Sequence, residues 1–311
     1  MRESNSLVIN GKKINYKKAK KEKTPIHAII IGIILTLYSL SMFGVLLYGF
    51  ANSLKSIDNF MQDMIGLPAG NIFQWEWVNY IKTFDLLKTP IIVNGKPKTI
   101  YIETMFLNSI LFAGIGSFIS IATSWLIAYI TSQYKCKASK IIYAGNLVLM
   151  LVPIVGALPS AMRLYINLGI YDTWWYLILT NINFIGTNYM IFHAFFSTVS
   201  TEVKEAAMID GAGNWRIMLL IVFPMTSKMF FVLLLQWFIG RWNDYMTMII
   251  WLPSKPTIAY GMYKFSTSTN SQGNWPPMQL TGAIELMIPV LILFLIFRNK
   301  IIGGVTIGQL K

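Results

Sequence analysis

Few side chains in this 311-residue sequence have the chemistry to make or break bonds. Two histidines, His27 and His193, and a single cysteine, Cys136, leave no nucleophile–base pair, no redox pair, no zinc ligand set and no intrachain disulfide to assemble, so neither a metal nor a cofactor is expected. His193 has no carboxylate within a helical turn and reads as a packed or interfacial residue rather than a proton relay. The sequence lacks a Gly-x-x-x-x-Gly-Lys-Ser/Thr string, so nucleotide hydrolysis, where it is needed, belongs to another polypeptide. What remains are amides, hydroxyls and a few charges inside apolar runs. Gln236, Gly240, Asn243 and Thr247 recur at helical spacing, and Asn181, Asn183, Thr187 and Asn188 cluster in another apolar segment. Amides and hydroxyls can hydrogen-bond a polar solute, which makes Gln236, Asn243, Asp244, Asn183 and Thr187 candidates for a substrate path. Interhelical hydrogen bonding, worth about 1 kcal/mol or less per contact in a membrane, is the alternative for each. Arg241, Asp244 and Glu285 are more demanding, because a charge inside a bilayer is costly and is functional by default. Arg241 and Asp244 stand three apart on one helical face, so mutual neutralisation is the competing explanation.

A second constellation is mechanical. Glu205 to Pro224 read E-A-A-M-I-D-G-A-G-N-W-R-I-M-L-L-I-V-F-P, a polar, glycine-broken stretch between two apolar ones. Ser200 or Thr201 can cap a helix whose first turns carry Glu202 and Glu205, where the helix dipole favours anions, and whose Ala206 and Ala207 offer a small surface. Gly211 and Gly213 permit positive φ, and Asn214 can cap a second helix running to Pro224. The expected product is a helix, an elbow and a helix. Such a segment suits a groove on a partner with basic residues, although a solvated connector has the same composition.

These residues must be positioned by membrane helices. Hydrophobic residues make up 55% of the chain and charged residues 13%, and the mean hydropathy is +0.54, too apolar for a soluble domain. A helix needs about 20 apolar residues to cross roughly 30 Å of hydrocarbon. Ile26–Leu54, Thr104–Tyr134, Ile141–Met162 and Thr173–Thr201 contain no Lys, Arg, Asp or Glu, and Met229–Trp251 and Leu280–Phe297 contain few. Six spans are therefore expected. Pro153, Pro159 and Pro289 should loosen the third and sixth. The first run is too long for a signal-peptide core and is read as a retained helix.

Lys/Arg bias orients the spans. Residues 1–24 hold eight basic residues, Lys135, Lys137 and Lys140 follow span two, and Arg298, Lys300 and Lys311 follow span six, which places both termini in the cytoplasm. The net charge of +13 arises largely from these juxtamembrane positions beside anionic lipid, and no nucleic-acid module accompanies it. The resulting division is a basic cytoplasmic segment 1–24, a first span 25–54, an extracytoplasmic loop 55–103, a core 104–298 that includes the loop 200–224, and a cytoplasmic tail 299–311. Trp75, Trp77 and Tyr80, among turn-forming glycines and prolines, suggest a folded cap or interfacial platform in the outer loop.

The segment at 205–224 resembles the EAA loop of importer-type ABC permeases, whose pattern is Glu-Ala-Ala, three residues, Gly, nine residues, then Ile-x-Leu-Pro. Glu205, Ala206, Ala207, Gly211, Ile221 and Pro224 are in register, and Phe223 replaces the usual Leu. From the first span onward the chain is similar to the carbohydrate, maltose-importer branch, through N-S-L-K (Asn52–Lys55), L-N-S-I (Leu107–Ile110), W-N-D-Y (Trp242–Tyr245), P-V-L-I-L-F (Pro289–Phe294) and the terminal G-G-V-T-I-G-Q-L-K. Arg241 and Glu285 depart from that pattern, and residues 1–24 lie outside it. The resemblance implies an all-α integral membrane protein of six transmembrane helices, the type I ABC importer permease fold, with a cytoplasmic coupling helix. Glu205, Ala206, Ala207, Asp210, Gly211 and Pro224 would couple it to a separate ATPase. It implies import of a sugar or oligosaccharide with a second homologous permease subunit, two cytoplasmic ABC ATPase subunits and an extracytoplasmic sugar-binding protein. A non-sugar solute and an ion-coupled secondary transporter are the competing readings. The latter should show inverted repeats and midplane carboxylates.

Overall fold

The computed structural model describes residues 6–9, 12–15, 25–93, 95–134, 136–153, 155–183, 185–267 and 275–302. Most of the basic segment 1–24 and the tail after residue 302 lie outside the described residues. The chain divides into two compact units, Met1–Tyr48 and Gly49–Lys311. The first holds an antiparallel hairpin, β1 (Ser6–Ile9) with β2 (Lys12–Asn15), and most of helix α1 (Ile26–Ser53). Isoleucine, leucine and aromatic side chains lie exposed along α1, as a lipid-facing helix requires.

The second unit starts with a cap built from α2 (Ile57–Gln62), a 3-10 turn (Ile72–Gln74), α3 (Val78–Leu86) and a hairpin of β3 (Thr89–Val93) with β4 (Lys96–Ile100). Ten helices follow, α4 (Ile102–Gln133), α5 (Lys137–Leu151), α6 (Leu158–Asn167), α7 (Trp174–Asn181), α8 (Thr187–Thr198), α9 (Thr201–Ile209), α10 (Asn214–Ile217), α11 (Phe223–Trp242), α12 (Met246–Ile250) and α13 (Ile258–Thr267). The last helix is α14 (Pro276–Ile302). Among the described residues, four helices are long and apolar enough to cross a membrane: Ile26–Ser53, Ile102–Gln133, Asn214–Trp242 and Pro276–Arg298.

The third and fourth expected spans are each two shorter helices. Residues 141–162 divide between α5 and α6 because Val152 and Pro153 leave the helix, Gly156 takes φ +75°, and Pro159 starts α6 in its first turn instead of kinking a continuous rod. Residues 173–201 divide between α7 and α8 at Gly186, whose φ of +123° no side chain tolerates. The main-chain groups freed at the second break find partners. Asn146 Oδ1 accepts the Gly186 N–H at 2.6 Å, and the Asn183 carbonyl accepts Ser124 Oγ at 3.0 Å. The fifth span also differs from its expected limits, 229–251. It begins at Asn214 and stops at Trp242, and α12 is a separate turn. Pro224 lies inside this span, with no N–H to donate and a ring that would strike the Leu220 carbonyl of a regular helix. The preceding turn, Met218–Val222, is wider and π-helical, which gives the ring room.

The packing centre is an aromatic cluster of α4, α8 and the α11 region. The Trp125 ring lies 5.7 Å from Phe196 and 5.6 Å from Phe223, and Phe223 lies 5.4 Å from Phe230, all edge-to-face. Trp125 Nε1 donates to Thr226 Oγ1 at 2.9 Å, and Thr131 Oγ1 pairs with Tyr189 OH at 2.9 Å, which satisfies these polar tips inside the cluster, whereas the buried Tyr129 hydroxyl has no hydrogen-bond partner. Closer to the cap, Gly116 lets α4 approach α7 and α11. A Cβ there would sit 2.9 Å from Leu177 Cδ1 and 3.1 Å from Arg241 Nη1. Gly116→Ala is expected to destabilise the purified protein by about 1–3 kcal/mol through overpacking, whereas Gly114→Ala, with open space at its Cβ, leaves the thermal midpoint equal or higher. Thermal unfolding of the two variants in detergent tests this, and a midpoint for Gly116→Ala at or above wild type contradicts it.

Candidate functional site

Two places in the second unit gather the residues singled out by sequence. The first is the loop of α9 and α10. Ser200 is the N-cap of α9, its Oγ accepting the Glu202 N–H at 3.2 Å. The helix ends with the Asp210 N–H bonded to the Ala206 carbonyl at 3.1 Å and the Ala212 N–H to the Ala207 carbonyl at 3.0 Å, across a Gly211 at φ +79°. The elbow expected at Gly211 is present. Gly213, however, has φ −71° and itself caps α10, so Asn214 is the first helical residue and not the cap.

The two alanines diverge. Ala207 is buried in the aromatic cluster with Tyr129, Phe196 and Ile217, whereas Ala206 and Glu205 are exposed. Lys204 Nζ lies 4.4 Å from the Tyr134 ring centroid, and Gln133 Nε2 donates to the Phe196 carbonyl at 3.1 Å, so the end of α4 holds both α8 and α9. The outward face presents Glu205, Ala206 and Asp210 beside Ile209, 86% exposed, and Trp215, 71% exposed. Sequence reasoning missed Ile209 and Trp215. Their positions opposite Ala207 around the elbow became visible only once α9 had a buried side. Pro224 is exposed but belongs to the span itself.

The second place is a cavity of about 610 Å³ between α4, α7, α11 and α12. Gln236, Gly240 and Arg241 line it from α11, Thr180 and Asn181 from α7, and Asp244 and Thr247 from the turn into α12. Phe112, Tyr176 and Trp237 supply aromatic faces. The polar stripe expected along one helix is therefore split. Because α11 ends at Trp242, Asn243 turns its side chain back to the Ile239 carbonyl at 3.0 Å and does not line the cavity, whereas Gln236, Asp244 and Thr247 do. Asn183 and Thr187 lie at the α7–α8 break, outside the cavity. Asn183 Oδ1 accepts the Ile185 N–H at 3.0 Å.

Arg241 and Asp244 are close enough to interact electrostatically but take different hydrogen-bond partners. Arg241 Nη2 donates to Asn181 Oδ1, and its guanidinium lies 5.5 Å from the Phe112 ring and 5.4 Å from the Trp237 ring. Asp244 accepts both the N–H and the hydroxyl of Thr247, opening α12. The helix break accounts for this, since it removes the single face that three-residue spacing presumes. Glu285 lies elsewhere, among Tyr80, Phe84 and Phe106, with both carboxyl oxygens buried and without a hydrogen-bond partner. A further tie was not foreseen. Asp172 Oδ1 accepts the Ser254 N–H at 3.0 Å and its hydroxyl at 2.8 Å, joining the loop before α7 to the loop after α12.

Among the described residues, no group of three or more His, Cys, Asp or Glu side chains is placed to hold a metal ion. The arrangement is an exposed helix face at an elbow and a polar–aromatic cavity.

Comparison with known proteins places this architecture. The family model described as "Binding-protein-dependent transport system inner membrane component" matches residues 120–299. The maltodextrin transport system permease protein MdxG of Bacillus subtilis is 29% identical, over 69% of this chain and 79% of that protein. The galactooligosaccharides transport system permease protein GanQ of the same bacterium is 27% identical, over 78% and 86%. The fold superposes on a chain of a bacterial ABC transporter involved in the import of the acidic polysaccharide alginate with a TM-score of 0.67, at 20% identity, covering 88% of this chain and 96% of that one. With more than half its length matched by the family model and its helices arranged as in an ABC importer, the chain belongs to the inner-membrane components of binding-protein-dependent transport systems.

Proposed function

We propose that the chain is one permease subunit of an ATP-driven importer for a sugar or oligosaccharide. The observation that carries the reading is the two-sided helix α9. Ala207 locks one side into the aromatic cluster of the spanning helices, and the other side leaves Glu205, Ala206 and Ile209 bare. A helix fixed to the core and open outward transmits a push from a partner to α4, α8 and α11 without dissipating it in loop motion. The partner is a pair of cytoplasmic ABC ATPase subunits, and the membrane region is completed by a second, homologous permease subunit in a heterodimer. The first expected outcome is that Glu205→Lys and Gly211→Pro leave the protein inserted and assembled but abolish stimulation of ATP hydrolysis by loaded binding protein. The charge reversal places a cation against a basic partner, and proline cannot take φ +79°. Purified complexes that hydrolyse ATP with normal stimulation would overturn the coupling assignment.

The cavity suits a polyol delivered by an extracytoplasmic sugar-binding protein. Gln236, Asp244 and Thr247 offer hydrogen-bonding groups, and Tyr176 and Trp237 offer flat apolar faces. The relatives named for maltodextrin and galactooligosaccharides support the same substrate class. Gln236→Leu is expected to lower sugar uptake by roughly two- to tenfold, the loss of one hydrogen bond of about 0.5–1.5 kcal/mol, with complex recovery unchanged. Asn243→Leu, outside the cavity, should change uptake less. Equal effects of the two substitutions would place the path elsewhere.

In the same reading the cap of residues 55–103 is extracytoplasmic, and α9 and both termini are cytoplasmic, following the Lys/Arg asymmetry. Reporters fused at Gly95 should be accessible from outside, and those at Lys137 and Gly213 only from inside. External labelling of Gly213 would remove the ATPase-docking reading.

A further inference from the structure

Residues 64–75, M-I-G-L-P-A-G-N-I-F-Q-W, form the longest uncharged stretch of the cap, bounded by Asp63 and Glu76. They present their apolar side chains outward. Phe73 is 93% exposed, Ile65 87% and Leu67 71%, with Met61, Met64 and Ile72 exposed around them. In water such a cluster would collapse, but hydrogen bonds hold it open. Asp63 Oδ1 accepts the Ile65 and Gly66 N–H groups at 3.0 and 2.8 Å, the Gln74 side chain accepts the Asn71 N–H at 3.1 Å, and Trp77 Nε1 donates to the Ile72 carbonyl at 2.8 Å. The Ile65, Gly66 and Asn71 N–H groups and the Ile72 carbonyl are thereby satisfied inside the loop, which lowers the cost of placing this irregular backbone against hydrocarbon.

The loop is also tied to the level at which the spans end. Lys55 Nζ donates to the Asp63 carbonyl at 2.6 Å, the Glu76 N–H to the Leu54 carbonyl at 2.9 Å, and Asn79 Nδ2 to the Ser53 carbonyl at 2.9 Å. Thr281 Oγ1, in the second turn of the spanning helix α14, donates to that same Ser53 carbonyl at 3.2 Å. The last residues of α1 and the first turns of α14 therefore mark one membrane boundary, and the loop is fixed to it. Trp75 and Trp77 stand beside the apolar tip, the residue type favoured where headgroups meet acyl chains.

We propose that the 61–77 loop is an interfacial lipid anchor, its Ile65, Leu67 and Phe73 side chains inserted into the leaflet at the α1 C-terminal boundary. Held there, the loop fixes the height of α3, whose Tyr80 and Phe84 close over Glu285 of α14. The bilayer thus becomes part of the support for the cap. Lipid fits better than a protein partner because the large side chains turned outward are aliphatic or aromatic, the stretch 64–75 carries no charge to specify a register, and it is attached at membrane level.

The test uses the complete importer complex in lipid nanodiscs, with Cys136→Ser removing the native thiol. Single cysteines at Ile65, Leu67 and Phe73, and at the exposed Lys96 that opens β4 as a water-exposed control, carry a nitroxide. Collision with oxygen exceeding collision with a water-soluble nickel chelate at two or more of the loop positions, and the reverse at Lys96, is the expected result. Three exposed positions make the result independent of any one variant's recovery. Preferential collision with the nickel chelate at the loop positions overturns the proposal. So does a label shielded from both reagents, the mark of burial against another subunit, or one shielded only after binding protein is added.

Discussion

The packing of α4, α8, α9 and α11 depends on how Trp125 is held. Its ring meets Phe196 of α8 and Phe223 at the head of α11, and its Nε1 is spent on Thr226, so one side chain of α4 sets the distance to two other helices. Water is absent from such an interior, and the attraction between helices comes from packing and a few satisfied polar contacts instead of release of apolar surface from solvent. A tightly interlocked aromatic cluster is therefore an effective joint. Ala207 is small enough to enter it from the loop, which makes α9 an extension of the spanning helices and not a tether.

Farther toward the cap, polar groups set the geometry. Arg241 has a place because Asn181 accepts one of its hydrogen bonds and because Gly116 leaves room for the guanidinium between Phe112 and Trp237. Asp244 is absorbed by the first turn of α12. Arg241 and Asp244 line the cavity beside amide, hydroxyl and aromatic groups, so it presents charged, polar and flat apolar surfaces together. The breaks that end α7 and α11 are what aim these groups into one space, since continuous helices would spread Gln236, Asp244 and Thr247 along a single stripe.

Backbone irregularity is confined to positions where it is compensated. Gly186 departs from helical geometry where Asn146 waits to accept its N–H. Pro224 lies within a span because a π-helical turn precedes it. The cap loop keeps the Ile65 and Gly66 N–H groups bonded to Asp63 and that of Asn71 bonded to Gln74. Each case lowers the cost of irregular backbone away from water.

Much of this was legible in the order of residues. Apolar runs located the long spanning helices, and the Glu205–Gly211 spacing located the helix α9 and its elbow. These depend on local chemistry, since hydrophobic length, capping and positive φ are properties of a few neighbouring residues. The interruptions of the third and fourth spans were not legible, because proline and glycine in a bilayer either kink a helix or end it according to whether a neighbour satisfies the freed backbone. Nor was the choice of Asn181 over Asp244 as the partner of Arg241, residues 60 positions apart meeting across α7 and α11. Only the tertiary arrangement decided which polar residues share a cavity, which alanine faces inward, and which hydrophobic side chains are left facing out.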